Sequence, residues 1–348
     1  MPDLSVIEGN YLRDALDQPG ALEDTLEVLN SHSGLEEIGA QLRKNDFQRI
    51  LLTGMGSSFH ALHPLNLNLI EHGFTALMVE TSELVHYQNR LVDQGTLIIA
   101  VSQSGRSAEI VRLLEMKRSD SNLIAVTNTE GSPLASRSDA VVLTRAGQEF
   151  SVSCKTYLTA LMALKWVGDK LCGEDPHLSL NELKQAAPAV RAYLSDWKKH
   201  VQSLVNELKN VVHLFLVGRG ASLAAVGTGA LIIKESDHFH AEGMSSAAFR
   251  HGPFEMLSSE SWVLVFSGDD KTADLNKKLQ ADIQRGGGRS EMIGHDALLP
   301  AFRLPTTPNS IRPIVEMLPV QLITLALAAR AGREAGRFHL ATKVTTAE

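Results

Sequence analysis

The feature that most constrains the fold is an internal repeat. Residues 49–58, RILLTGMGSS, read as an apolar strand running into a glycine turn, and residues 213–222, HLFLVGRGAS, repeat the pattern. Farther on, the apolar run ending at Ser102 (TLIIAVS) has a counterpart ending at Ser267 (WVLVFS). Both landmarks recur at nearly one spacing, which means two copies of one supersecondary plan. Each copy alternates apolar strands with helical patterns, so the repeated unit is α/β.

In the first copy, strands are expected at about 49–54, 76–80, 96–101, 122–127 and 139–143, and helices at about 57–72, 82–91, 106–118 and 152–172. Continuous apolar strands spaced by helices indicate a parallel sheet covered on both faces. The second copy carries helical patterns at about 222–236, 271–286 and 312–332. A helical segment over about 4–30 precedes the first copy, and residues 174–210 read as a linker feeding a packing helix.

Composition narrows the function classes. A hydrophobic fraction of 44% and a charged fraction of 21% are those of a folded globule. The net charge of −7, with no block of Lys and Arg longer than a few residues, argues against a nucleic-acid partner, which needs a basic patch to neutralise phosphates. Only Cys154 and Cys172 are present, so no disulfide scaffold is expected and a reducing, cytoplasmic setting fits. The first residues lack the basic start and apolar run of a signal peptide. No uninterrupted apolar run reaches the roughly 18 residues of a membrane span, so no membrane partner is expected.

Open parallel sheets bind ligands at the carboxyl ends of their strands. The loops to read are therefore Gly54–Ser58, Ser102–Ser107, Gly147–Cys154 and Gly218–Ser222. The Ser102–Ser107 loop, SQSGRS, sets three hydroxyls, an amide and a glycine between a strand and a helix start. Short donors, backbone N–H groups and the positive end of a helix are what a phosphate needs. The competing reading, a serine that merely caps the next helix, explains one hydroxyl and not three. Gly54-Met55-Gly56 approaches a dinucleotide fingerprint, with Glu80 closing the next strand, but Phe59 stands where the third glycine belongs, so no nicotinamide cofactor is expected. His60 with His63, and Asp237-His238-Phe239-His240, lack the backing of a Cys pair or an H-E-x-x-H, and no metal site is assigned. Cys154 reads as a small buried residue.

Several motifs then fall in a recognisable order: Ser102-Gln103-Ser104-Gly105, Gly147-Gln148-Glu149, Lys234-Glu235, His240-Ala241-Glu242, Arg250-His251-Gly252-Pro253 and Lys343-Val344-Thr345. Together they resemble the sugar isomerase (SIS) domains of glucosamine-6-phosphate synthase, over nearly the whole chain. The resemblance implies two tandem SIS domains, each a parallel five-stranded sheet flanked by helices in a flavodoxin-like, three-layer α/β/α arrangement. It places them at 35–173 and 211–335, with a helical segment at 1–34, a linker and packing helix at 174–210, and a C-terminal tail at 336–348. No counterpart of the synthase's glutaminase half is expected. GMGSS and SQSGRS, with Arg106, are closer to SIS-type aminosugar-phosphate deaminases and isomerases.

Carried over residue by residue, the resemblance assigns Ser57, Ser58, Ser102, Gln103, Ser104 and Ser107 to phosphate and sugar contacts, and Val152 to a backbone contact. It makes Glu235 the carboxylate that moves a proton between C1 and C2, His251 the ring-opening histidine supplied across a homodimer, and Lys343 the lysine at the carbonyl. Thr228 and Ile232 replace two charged members of the synthase site, and the tail lacks the Asp-x-Pro before its lysine. The implied activity is a sugar-phosphate isomerase or deaminase without a cofactor. The alternatives are a fructosamine-phosphate deglycase and a non-catalytic sugar-phosphate sensor.

Overall fold

The computed structural model describes residues 3–29, 34–118, 121–340 and 342–345. Asn30, at the end of the expected first helical segment, and Ala341 and 346–348 of the tail lie outside the described residues. The chain divides into two compact units. The first-repeat unit comprises Gly20–Gln148, Lys155–Gln185 and Leu340–Glu348; the second-repeat unit comprises Met1–Pro19, Glu149–Cys154 and Ala186–His339. Each repeat therefore takes in short segments that the chain order alone would give to the other.

In chain order, helices α1 (Asn10–Leu16), α2 (Gln18–Leu29) and α3 (Leu35–Arg43) lead into strand β1 (Arg49–Gly54). There follow α4 (Gly56–His60), α5 (His63–Glu71), β2 (Ala76–Glu80), α6 (Thr81–His86), β3 (Thr96–Val101), α7 (Ala108–Met116), β4 (Asn122–Thr127), α8 (Pro133–Ser136) and β5 (Ala140–Leu143). Next come α9 (Lys155–Cys172), α10 (Pro176–Leu183), α11 (Ala186–Leu194) and α12 (Trp197–Glu207). The second repeat supplies β6 (His213–Gly218), α13 (Leu223–Asp237), β7 (Ala241–Ser245), α14 (Ser246–Arg250), β8 (Ser261–Phe266), α15 (Ala273–Arg285), β9 (Arg289–Ile293) and α16 (Arg312–Ala331).

All five strands of the first sheet are parallel, in the order β2-β1-β3-β4-β5. The run TLIIAV of β3 is buried at every position because this strand is central and covered on both faces. Side chains alternate between faces along a strand. Ile98 and Ala100 of β3 and Leu123 and Ala125 of β4 accordingly share one core with Leu84 of α6, Ile110 and Leu113 of α7, and Leu134 of α8. On the other side α9 packs with α3 and α5. The single helix expected over 57–72 is two, α4 and α5. Pro64, in the first turn of α5, has no N–H to donate back to the preceding turn, so the chain breaks and restarts there.

The second sheet is also parallel, in the order β7-β6-β8-β9. Phe215 and Val217 of β6 and Val263 and Val265 of β8 pack on Phe249 of α14 and on Leu279 and Ile283 of α15. The tandem parallel plan holds, but this sheet has four strands rather than five. Where a fifth would run there is one parallel bridge, between Gly294 and Arg303. Pro300, Pro305 and Pro308 crowd this segment, and proline cannot donate to a ladder. Residues 174–210 form three helices, α10 to α12, in place of a linker with one packing helix.

One stretch departs from the expectation that nothing here could cross a membrane. Asn309–Ala331 is long and apolar enough by length and composition. Its 18-residue window is 89% buried inside the fold, and α16 packs against α11, α12 and α13. It is hydrophobic all round because it is a core helix.

That helix also buries a carboxyl group. Glu316 is 0% exposed; one of its oxygens accepts a hydrogen bond from Ser222 Oγ at 2.8 Å, and Oε2 has no hydrogen-bond partner among the described residues. Burial pushes its pKa from 4.5 up to about 7, against the lowering effects of the Ser222 bond and the Arg312 charge, with Asp269 adding to the rise. A folded-state pKa above the unfolded value means stability that is complete below about 4.5 and is lost as pH rises through about 7. Glu316→Gln removes this titration. Denaturant unfolding of both proteins at pH 5 and pH 8 should show the variant gaining on wild type, by at most about 1.4 kcal/mol per pH unit across that window. Parallel pH profiles would contradict it.

Candidate functional site

In the first sheet the direction of strand addition reverses at β1, so a crevice opens beyond the carboxyl ends of β1 and β3. Gly54 and Val101 are register partners, which starts the loops 54–58 and 102–107 side by side. A Cβ on Gly54 would lie 3.1 Å from Phe59 N and from Val101 O, so glycine is what lets the two loops approach. Ser57 and Ser58 enter α4 half-buried, and the Ser58 N–H closes the turn on Met55 O at 3.0 Å.

The second loop is pinned by its own hydroxyls. Ser102 Oγ accepts the Gly105 N–H at 3.1 Å and Ser104 Oγ the Arg106 N–H at 3.4 Å. Both serines are buried, and because each hydroxyl accepts in these bonds, its O–H proton is left to donate to something else. Neither caps the following helix. The N-cap of α7 is Ser107, whose half-buried side chain makes no capping bond. Capping therefore accounts for none of the three hydroxyls.

Gln103 is half-buried and held through its carbonyl, which accepts the Asn128 N–H at 3.1 Å and Thr129 Oγ1 at 3.1 Å. Asn128 also reaches the end of β5, where its Oδ1 accepts Ala146 N–H at 2.9 Å and its Nδ2 donates to Gly147 O at 2.9 Å. This positioning residue escaped the sequence reading. Its only signal was the polar run TNTEGS at the end of an apolar strand.

The C-terminal tail belongs to the same unit. Ala108, the first residue of α7, donates its N–H to the Thr345 carbonyl at 3.2 Å. That bond lays the tail against the start of the helix that follows the serine loop. Lys343, half-buried, is two residues from the anchor. Ser57, Ser58, Ser102, Gln103, Ser104, Ser107 and the Lys343 segment are thus gathered in one unit, at one end of its sheet.

The other named residues belong to the second-repeat unit. Val152 is fully buried in a loop that Glu149 closes, its Oε1 accepting the Cys154 N–H at 2.9 Å. Asp14 ties this loop to α1 by accepting the Phe150 N–H at 3.0 Å and Ser151 Oγ at 3.2 Å. Cys154 is fully buried. Glu235 is half-buried in the last turn of α13, and His251 is exposed where α14 ends, before Gly252 and the Pro253 turn. Thr228 and Ile232 on α13 are each 0% exposed. Neutral groups suit those positions, because a charge buried without a partner is costly.

Of the two histidine pairs, His238 and His240 are exposed, while His60 and His63 pack together. His60 and His63 stack with ring centroids 6.3 Å apart, and burial with the His60 charge lowers the His63 pKa to about 4. Among the described residues no group of three or more His, Cys, Asp or Glu is placed to hold a metal ion.

The serine loop yields a direct test. Gly105 has φ +61°, and a Cβ there would lie 2.2 Å from Ser132 Oγ. Gly105→Ala should destabilise the fold by roughly 1–3 kcal/mol and loosen the loop. Thermal unfolding should register the loss; an unchanged melting temperature would show that the loop is not held as described.

A comparison with known proteins places this geometry. The SIS domain family model matches residues 42–167 and 207–331. The glutamine–fructose-6-phosphate aminotransferase (isomerizing) of Pyrococcus horikoshii is 27% identical over 97% of this chain and 57% of its own length. The enzyme of that name from Streptomyces coelicolor is 29% identical over 97% of this chain and 58% of its own length. The chain thus spans 57% and 58% of these two curated relatives. Among solved structures, the C-terminal domain of glucosamine-fructose-6-phosphate aminotransferase from Francisella tularensis superposes with a TM-score of 0.82 at 21% identity, over 94% of this chain and 98% of that one. Glucosamine-6-phosphate deaminase from Thermotoga maritima superposes with a TM-score of 0.79 at 17% identity, over 97% of this chain and 100% of that one. These two share the fold. With both repeats matched and both built as parallel α/β units, the chain belongs to the SIS domain family.

Proposed function

We propose that this SIS protein acts on a hexose 6-phosphate bearing an amine or ketone at C2, by ring opening followed by proton transfer between C1 and C2. The observation that carries this reading is the Ser102–Ser107 loop, with buried hydroxyls at a helix start and the Lys343 tail fastened beside it. Short hydroxyl donors and the positive end of α7 suit a phosphate in a protein whose net charge is −7, because local dipoles replace a basic surface. The names of the relatives, isomerizing aminotransferases and an aminosugar-phosphate deaminase, agree with that substrate class.

In this mechanism Ser57, Ser58, Ser102, Gln103, Ser104 and Ser107 hold the phosphate and sugar hydroxyls, and the Val152 backbone contacts the sugar. His251 moves the proton that opens the ring, from a partner protomer of a homodimer. The Lys343 amine contacts the open-chain carbonyl and can condense with it to an imine, releasing water. Glu235 then takes the proton from one carbon and returns it to the other, the work of a half-buried carboxylate. Free ammonia or an amine serves as nitrogen partner.

A second reading has one observation in its favour. A groove of about 630 Å³ at the ends of β4 and β5 is lined by Asp24, Glu27, Asn128, Glu130 and Arg145, among others. It adjoins Gln103 through Asn128. Its carboxylates suit a cationic amine substituent, as a fructosamine-phosphate deglycase would require.

Glu235→Gln should reduce turnover of glucosamine 6-phosphate at least 100-fold while sugar-phosphate binding by calorimetry survives. Wild-type rates in this variant would sink the mechanism. Ser102→Ala with Ser104→Ala should instead weaken binding about 100-fold or more, since each of the two lost hydrogen bonds to a charged group costs about 1.5–3 kcal/mol. An unchanged Kd would move the phosphate elsewhere.

A further inference from the structure

One histidine singled out in the sequence has a partner that motif spacing could not show. His240 closes the run Asp237-His238-Phe239-His240 and immediately precedes β7, while His213, 27 positions earlier, is the first residue of β6. The two strands are parallel, with Leu214 the register partner of Ala241, and the Leu214 N–H donates to the His240 carbonyl at 3.1 Å. One residue back from that pair, His213 and His240 stand opposite each other. They lie at the amino ends of the strands, at the other end of the sheet from the loops that follow β6 and β8.

The rings approach through one nitrogen each. His213 Nδ1 and His240 Nδ1 are 3.3 Å apart, with the ring planes at 85° and the centroids 5.0 Å apart. This is long for a hydrogen bond, which for N–H to oxygen runs about 2.7–3.2 Å. It is the span of two ligands on one tetrahedral ion, because Zn–N bonds of about 2.0–2.1 Å at about 109° set their nitrogens roughly 3.3–3.4 Å apart. His240 is exposed and His213 half-buried, so an ion can reach the pair from solvent, with water completing its coordination. Imidazole nitrogen suits zinc, copper and nickel, whereas calcium and magnesium take oxygen ligands.

We propose that His213 and His240 form a surface site for a divalent late first-row transition metal, with zinc as its probe, bridging β6 and β7. Strand β7 is at the edge of the second sheet with β6 as its neighbour, so an ion held by both histidines fastens the edge strand to the sheet. The inference rests on strand register and ring geometry and stands apart from the sugar-phosphate reading.

Zinc chloride titrated into the full chain, with magnesium chloride as control, tests it. Zinc should raise the melting temperature saturably, on the order of 3 °C, because an ion bound by the folded arrangement alone stabilises it, and magnesium should not. His213→Ala and His240→Ala each remove one ligand and should each abolish the rise. His238→Ala, which alters a neighbouring ring in edge contact with His339, should keep it. A rise of wild-type size in either ligand variant, or no rise in wild type, would overturn the proposal. Nitrogen-15 NMR of labelled histidine in the wild-type chain gives a reading that depends on no variant. Zinc should ligate two imidazoles through Nδ1, and ligation through Nε2 or by a single ring would overturn the proposal.

Discussion

The parallel pairing of β1 with β3 is the interaction on which the first crevice depends. It sets Gly54 against Val101, and both loops leave the sheet from that one point. Glycine at 54 is required by the distance between the loops, and the serine loop is then fixed by bonds from Ser102 and Ser104 to its own backbone. The hydroxyls are thereby ordered before any ligand arrives, which reduces the ordering cost of binding. Pairing of β6 with β8 repeats the construction, and there Ser222, after β6, donates to the buried Glu316.

The two repeats have therefore diverged in what their crevices hold while keeping one backbone plan. In the first, the strand ends carry the Ser102 and Ser104 hydroxyls, and α7 starts beside Ser107. In the second, Arg312 and Glu316 project from α16 into the corresponding place. Each unit also depends on a segment remote from it in sequence. Asp14 captures the backbone of Phe150 for the second unit, and Ala108 captures Thr345 for the first. The loop carrying Val152 is held by bonds from Asp14 and Glu149, and the tail carrying Lys343 is tied to the start of α7 through Thr345; sequence order alone would not assign either.

What was legible in the sequence follows from what periodicity reports. The strands of the first sheet could be read because Leu, Ile and Val run unbroken between polar turns, and parallel strands buried on both faces leave that trace. The repeat gave the second sheet its plan. Its missing strand was not foreseen because the apolar residues around Pro300 and Pro305 look like strand material until the absent N–H groups are counted. The break between α4 and α5 turned on Pro64 in the same way. Motif order drew attention to the serine loop, yet it could not point to Asn128, a single polar residue whose role lies in three hydrogen bonds to the end of β5. Nor could it point to Glu316, which reads as an ordinary helical glutamate until its burial is known.

The central claim is that Glu235 moves a proton between C1 and C2 of a sugar phosphate held by the Ser102–Ser107 loop. Incubating the wild-type protein with fructose 6-phosphate in deuterated water and reading the recovered sugar by proton NMR tests it most directly. The account predicts that solvent deuterium enters at the carbon that exchanges its proton. Saturable binding of the sugar phosphate with no deuterium incorporated would contradict it, and would make the protein a sensor of sugar phosphates in place of an enzyme.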